Sequence, residues 1–82
     1  MLNELQKILL EKRYQVYRRG EGKSSFLFVK GSETSAEISE DGTDLWMEFW
    51  ESSNEDSDDS PVREKTCKTL EEAVKAISHW IR

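Results

Sequence analysis

The stretch DLWMEFWE, residues 44–51, decides the fold of this chain, because it is the strongest strand signal and would carry large apolar side chains on both of its faces. Side chains alternate between the two faces of a strand. One face would carry Leu45, Met47 and Phe49, and the other Trp46, Glu48 and Trp50. A strand that covers a core on one side usually has polar residues on the other. The second face of this strand therefore needs an explanation of its own.

The segments before this strand repeat its period of two and predict an antiparallel sheet. They are YQVYRR at 14–19, SSFLFVK at 24–30 and SAEIS at 35–39, separated by the breaks GEGK, Gly31 to Thr34 and EDGT. A short edge strand over 62–66 is compatible with the pattern. We expect three or four antiparallel strands.

Two segments with helical spacing flank the predicted sheet. Leu2, Leu5 and Leu9 predict a helix over about 3–12, with Asn3 and Gln6 as a capping pair. Thr69 followed by Glu72 is a capping box that opens the helix LEEAVKAISHWIR. The apolar face of that helix would carry Leu70, Val74, Ile77 and Ile81, with Ala73 and Trp80 beside them. The predicted fold is α+β, one domain over residues 1–82 in an αβββα-like order with both helices on one face of the sheet.

Composition limits the class of protein. A chain of 82 residues makes one domain with a small core. One cysteine and one histidine exclude an internal disulfide and a structural zinc site, which takes four ligands. No signal sequence and no apolar run of about 18 residues is present, so we expect a cytoplasmic domain without a membrane contact.

The acidic residues are concentrated in the middle of the chain, whose net charge is −5. Residues 31–60 contain eleven Asp or Glu and no Lys or Arg, and we expect the run at 52–60 to form a mobile acidic loop. An EF-hand beginning at Asp56 fails, because Pro61 stands at the glycine position and Cys67 at the bidentate glutamate. No metal ion is predicted, and a calcium site of another type stays an alternative.

Catalysis is not expected. Cys67 and His79 are the one pair that suggests a nucleophile and its base. From the cap at Thr69 to His79 is about 15 Å along a helix, and His79 falls nearly opposite the apolar stripe. We predict a surface histidine, a cysteine that serves in packing, no enzyme and no cofactor.

Nucleic-acid binding is not expected either. The bases Lys12, Arg13, Arg18 and Arg19 fall short of the clustered basic footprint of such proteins. The order of elements resembles that of double-stranded-RNA-binding domains, whose second helix opens with a basic cluster. Here that helix opens with Leu70, Glu71 and Glu72, so the likeness covers the element order alone.

The aromatic side chains give the candidate binding surface. If the aliphatic faces cover the helices, four aromatic residues and Glu48 lie on the far side of the sheet, where they form an interaction surface. The alternative is that the aromatic face is the core, or that the acidic loop covers it. Glu48 argues against a core, since it would be buried between two tryptophans and would need a base such as Arg18 or Arg19 opposite. The candidate protein-binding residues are Phe26, Phe28, Trp46, Glu48, Trp50, Glu55, Asp56, Asp58 and Asp59.

We therefore predict a non-enzymatic protein-binding module that selects a partner with a basic surface. One alternative is an acidic mimic of nucleic acid, acting as an inhibitor or antidote of a nucleic-acid-binding protein. Another is a homodimer formed through the aromatic face, so the chain is expected to be a monomer or a homodimer.

Overall fold

The computed structural model describes residues 1–51 and 61–82. The elements are α1 (Leu2–Glu11), β1 (Gln15–Arg19), a 3₁₀ turn (Gly22–Ser24), β2 (Phe26–Lys30), β3 (Thr34–Asp41), β4 (Asp44–Glu51), β5 (Arg63–Cys67) and α2 (Leu70–Trp80). The predicted acidic loop at 52–60, with Glu55, Asp56, Asp58 and Asp59, lies outside the described residues.

The described strands form one antiparallel sheet in which each strand pairs with the next along the chain, in the order β1-β2-β3-β4-β5. The α+β class is confirmed, and the strand count is five instead of the predicted three or four. The fifth strand is β5, one residue from the short edge strand over 62–66 that the pattern allowed, and its sequence REKTC is exposed at four of its five positions. An edge strand with one buried side chain shows little of the apolar alternation on which a sequence prediction depends.

Both helices pack on the same face of the sheet. Side chains from that face and from the two helices form a single buried cluster. Its members are Leu2, Leu5, Leu9, Leu27, Val29, Ala36, Ile38, Leu45, Met47, Phe49, Cys67, Ala73 and Ile77. The aliphatic face of β4 is therefore the core face, and the tryptophans of β4 lie on the opposite side of the sheet.

The start of α1 differs from the prediction. Asn3 and Gln6 do not cap the helix, because their side-chain oxygens accept hydrogen bonds from Arg18 Nη1 at 2.8 and 3.4 Å. Glu40 of β3 takes that role, since its Oε1 accepts from the Leu2 backbone N–H at 2.8 Å and from the Met1 amino group at 3.0 Å. A carboxylate from another element thus satisfies the helix start, where orphan N–H groups favour negative charge.

The second helix begins as predicted and ends on β3. The Thr69 hydroxyl accepts a hydrogen bond from the Glu72 backbone N–H at 3.1 Å. At the other end, Thr34 Oγ1 donates to the Trp80 carbonyl at 2.8 Å, and Trp80 Nε1 donates to the Ser35 carbonyl at 2.9 Å. The helix therefore starts at the end of β5 and crosses the sheet diagonally to the beginning of β3.

Gly31 permits this anchoring. The chain passes so close to residues 81 and 82 that a Cβ atom at Gly31 would lie 2.9 Å from the Ile81 Cγ2 atom and 2.9 Å from the Thr34 carbonyl oxygen. No side chain fits there without displacing one of these groups.

Neither helix in the described part of the chain, of 10 and 11 residues, is long and apolar enough to cross a membrane.

Candidate functional site

The outer face is the side of the sheet that the helices leave uncovered. All the predicted binding residues among those described lie here, and each is half-buried. They are Phe26, Phe28, Trp46, Glu48 and Trp50. The face therefore combines large rings with a carboxylate. The aliphatic side chains of β2 and β4 pack on the helix side, which is the condition that the sequence left open.

Three carboxylates lie in one row across this face. The strand register places Glu48 opposite Glu37 of β3 and opposite Glu64 of β5. Neighbouring strands lie about 4.8 Å apart, so the three side chains, here called the carboxylate row, are adjacent. Like charges directly opposite one another destabilise a sheet. The row is thus a local cost to folding that a bound cation would relieve.

The protonation of Glu37 reflects both its burial and its neighbour Glu48. Its pKa is raised above the ordinary value, first by burial and then by the neighbouring charge of Glu48, while Arg19 acts in the opposite direction. Arg19 lies at the β1 side of the row, where its guanidinium carbon is 4.6 Å from the centre of the Phe28 ring. Arg19 is therefore the base that acts on the Glu37 end of the row.

No basic residue lies directly opposite Glu48 on either neighbouring strand, β3 or β5. The sequence suggested Arg18 or Arg19 opposite it, but Glu37 and Glu64 occupy those positions. Arg18 points to the helix side of the sheet, where it bonds to Asn3 and to the Ser25 hydroxyl. The acidic character of the centre of the face is accordingly retained.

The two tryptophans of β4 flank Glu48 on the same face. Each is two residues from it, about 6.6 Å along a strand. An open hollow of about 450 Å³ lies beside Trp46 and is lined by Ser39, Glu40 and Asp41. Trp50 Nε1 is buried and has no hydrogen-bond partner within residues 1–51 and 61–82. A ligand of this face would meet two indole rings and a carboxylate between them.

Three residues of the outer face were missed by the sequence reasoning, Tyr17, Glu37 and Glu64, and Arg19 was named only as a possible partner of Glu48. Tyr17 is 46% exposed, and its ring centre is 6.4 Å from that of Phe28. Alternation within each strand separates two faces, but the strand register decides which residues become neighbours. The register was the missing information.

Cys67 and His79 lie in different surroundings. Cys67 is fully buried, with Sγ 3.4 Å from the Met47 sulfur, and burial raises the pKa of its thiol. His79 lies exposed in the last turn of α2, as the helical wheel predicted. Across the described ranges, no group of three or more His, Cys, Asp or Glu side chains is placed to hold a metal ion.

Comparisons of the chain with protein-family models, with curated proteins and with solved structures found no match in any of the three.

Proposed function

We propose that this domain is a non-enzymatic protein-binding module whose outer face binds a basic segment of a partner protein. The observation that carries the proposal is the carboxylate row, with Glu48 between Trp46 and Trp50. A lysine or arginine side chain over this row would relieve the repulsion between the carboxylates. Its aliphatic stem would contact the indole rings, and its charge would be attracted by the ring faces. Aromatic anchors with polar surroundings are what binding hot spots require.

The acidic run of the sequence extends the same charge. Glu55, Asp56, Asp58 and Asp59 follow β4 in the chain, directly after the strand that carries both tryptophans. In this proposal the acids serve as the rim of the binding surface. They would attract a basic partner at long range and raise the rate of association.

A non-enzymatic role in the cytoplasm agrees with the chemistry of the described side chains. The single cysteine is a buried packing residue with a raised thiol pKa, which does not favour a nucleophile. A chain with one cysteine has no internal disulfide to keep, and this is typical of a reducing compartment.

The proposal is tested by titrating the ¹⁵N-labelled domain with an octa-arginine peptide at low salt and following the indole N–H signals by NMR. We expect the signals of Trp46 and Trp50 to shift, while that of Trp80, which lies on the helix side, stays in place. Glu37→Gln with Glu48→Gln should weaken binding about tenfold, which corresponds to about 1.4 kcal/mol.

The matched control is Glu4→Gln with Glu11→Gln, which makes the same change in net charge at exposed positions on α1. This control should bind the peptide within a factor of two of the wild type. An equal loss of affinity in both double variants would mean that overall charge, and not the outer face, attracts the peptide.

Replacing the tryptophans distinguishes the proposal from the alternative of an acidic mimic of nucleic acid. If the outer face is a protein-binding surface, Trp46→Ser with Trp50→Ser should abolish its binding of the basic partner, provided that circular dichroism shows the fold intact. A mimic of nucleic acid would keep its affinity in that variant. It would instead lose affinity when Asp56, Asp58 and Asp59 are changed to Asn, with a steep dependence on salt.

A further inference from the structure

A second surface lies on the helix side of the sheet, in a groove between β5 and α2. This groove, of about 390 Å³, has Arg63 and Lys65 on one wall, Lys75 and His79 on the other, and Phe49 and Trp80 on its floor. The two aromatic rings are tilted against each other, with centres 5.3 Å apart. The groove is separated from the outer face by the sheet, so it is independent of the proposed protein-binding surface.

The diagonal path of α2 opens the groove. The helix begins three residues after the buried Cys67 and ends with Trp80 bonded to β3, so it moves away from the first residues of β5. Alternation along β5 places Glu64 on the outer face, opposite Glu48, and turns Arg63 and Lys65 to the helix side. Both of these bases are exposed, as are Lys75 and His79.

Positive charge is concentrated in this groove, although the molecule as a whole is negatively charged. The chain carries a net charge of −5, yet three of the five bases in residues 61–82 line this groove. The acids of that segment lie elsewhere, with Glu64 on the outer face and Glu71 and Glu72 in the first turn of α2. Within the described ranges, the one direct ion pair joins the Met1 amino group to Glu40, so no base of the groove is in direct contact with a carboxylate there.

We propose that this groove binds a small phosphate monoester that carries an aromatic ring, such as a mononucleotide. A phosphate monoester has a charge of about −1.5 to −2 near neutral pH, which three bases can balance. The arginine fork donates two parallel hydrogen bonds to phosphate oxygens, and lysines add charge. The half-buried Trp80 offers apolar surface to the ring of the ligand above the buried Phe49, and the volume falls within the range of small-molecule sites.

The side chains, and not the helix, must supply the attraction. Lys75 is the central residue of α2, and His79 lies in its last turn, which carries the negative end of the helix dipole. An anion at this place gains nothing from the backbone. Replacing the basic side chains should therefore remove the binding.

The experiment is an NMR titration of the ¹⁵N-labelled full chain with AMP, and in parallel with inorganic phosphate and with adenosine. We expect saturable shifts of the Trp80 indole N–H and of the Ala76 and His79 amides with AMP, at a Kd of about 1 mM or tighter. Inorganic phosphate should bind at least fivefold more weakly, and adenosine should show no saturation. Arg63→Gln with Lys65→Gln should weaken AMP binding at least tenfold.

Lys7→Gln with Lys12→Gln is the matched control, because it removes the same charge from exposed positions at and beside α1, and it should bind AMP like the wild type. Absence of saturable shifts with AMP up to 10 mM would overturn the proposal. Equal affinities for AMP and phosphate, or equal effects of the two double variants, would overturn it as well. Shifts of the Trp46 and Trp50 indoles report the outer face separately, so the failure of one proposal leaves the other open.

Discussion

Glu48 has a carboxylate directly opposite it on each neighbouring strand, Glu37 on β3 and Glu64 on β5. At this residue the requirements of folding and of binding oppose each other. Repulsion across the strands lowers the stability of the sheet, while the same charges attract a cationic ligand. A site whose residues cost stability is what is expected where function, and not packing, selects the side chain.

Replacing Glu48 by Gln should therefore stabilise the free domain by about 0.2–1 kcal/mol at pH 7, in urea unfolding followed by circular dichroism. The pKa of Glu37 should fall towards its ordinary value, because one of the two causes that raise it is removed. Glu4→Gln on α1 serves as the control and should change neither quantity. A loss of stability in Glu48→Gln would contradict this account of the carboxylate row.

The dependence on pH follows from the direction of the Glu37 shift. Since the pKa of Glu37 is raised in the folded state, the unfolded chain loses this proton first as pH rises. The contribution of Glu37 to stability is thus complete below the unfolded pKa and declines as pH rises through the folded one. That decline should be smaller in Glu48→Gln than in the wild type.

At the scale of the elements, α1 depends on β3 for its cap. Hydrogen bonds from the Leu2 N–H, and then from the Met1 amino group, hold the pKa of Glu40 below its ordinary value. Sequence alone predicted a local cap at Asn3, because the capping pattern is read within one helix. A cap supplied from another element has no local signal. The cap of α2 at Thr69 was predictable for the opposite reason, since both partners lie within four residues.

Glu40→Ala should lower stability at pH 7 by less than about 1 kcal/mol, because the carboxylate is exposed and screened. A depressed pKa means that this contribution is present above the unfolded pKa and is lost as pH falls through the folded one. The difference between wild type and variant should accordingly vanish in acid, in unfolding curves recorded at several pH values. Glu33→Ala, at an exposed turn, is the control; a pH-independent difference would refute the capping role.

At the scale of the whole molecule, the carboxylate row bears on self-association. A two-fold dimer through the outer face brings the same patch of both copies together, and with it six carboxylates, three from the carboxylate row of each copy. Repulsion between these groups opposes a homodimer seam at neutral pH. The aromatic strand suggested a homodimer as an alternative. The arrangement of charges on the outer face does not support it.

Sedimentation equilibrium at pH 7 should show a monomer for the wild type at micromolar concentration. Glu37→Gln with Glu48→Gln and Glu64→Gln should self-associate, because the neutral face keeps its exposed aromatic surface. The control is Glu4→Gln with Glu11→Gln and Glu21→Gln, which reduces the net charge equally and should stay monomeric. A wild-type dimer at pH 7 would show that the row does not prevent pairing.

What the sequence determined by itself is whatever depends on near neighbours in the chain. The alternation of residues 44–51 predicts β4 and its two faces, and the Thr69 cap predicts the start of α2. The tertiary structure alone decided that Glu48 lies between two other acids, that Glu40 caps α1, and that Arg63, Lys65 and Lys75 line one groove. Local periodicity fixes which way a side chain points, whereas strand register and helix crossing decide what it meets.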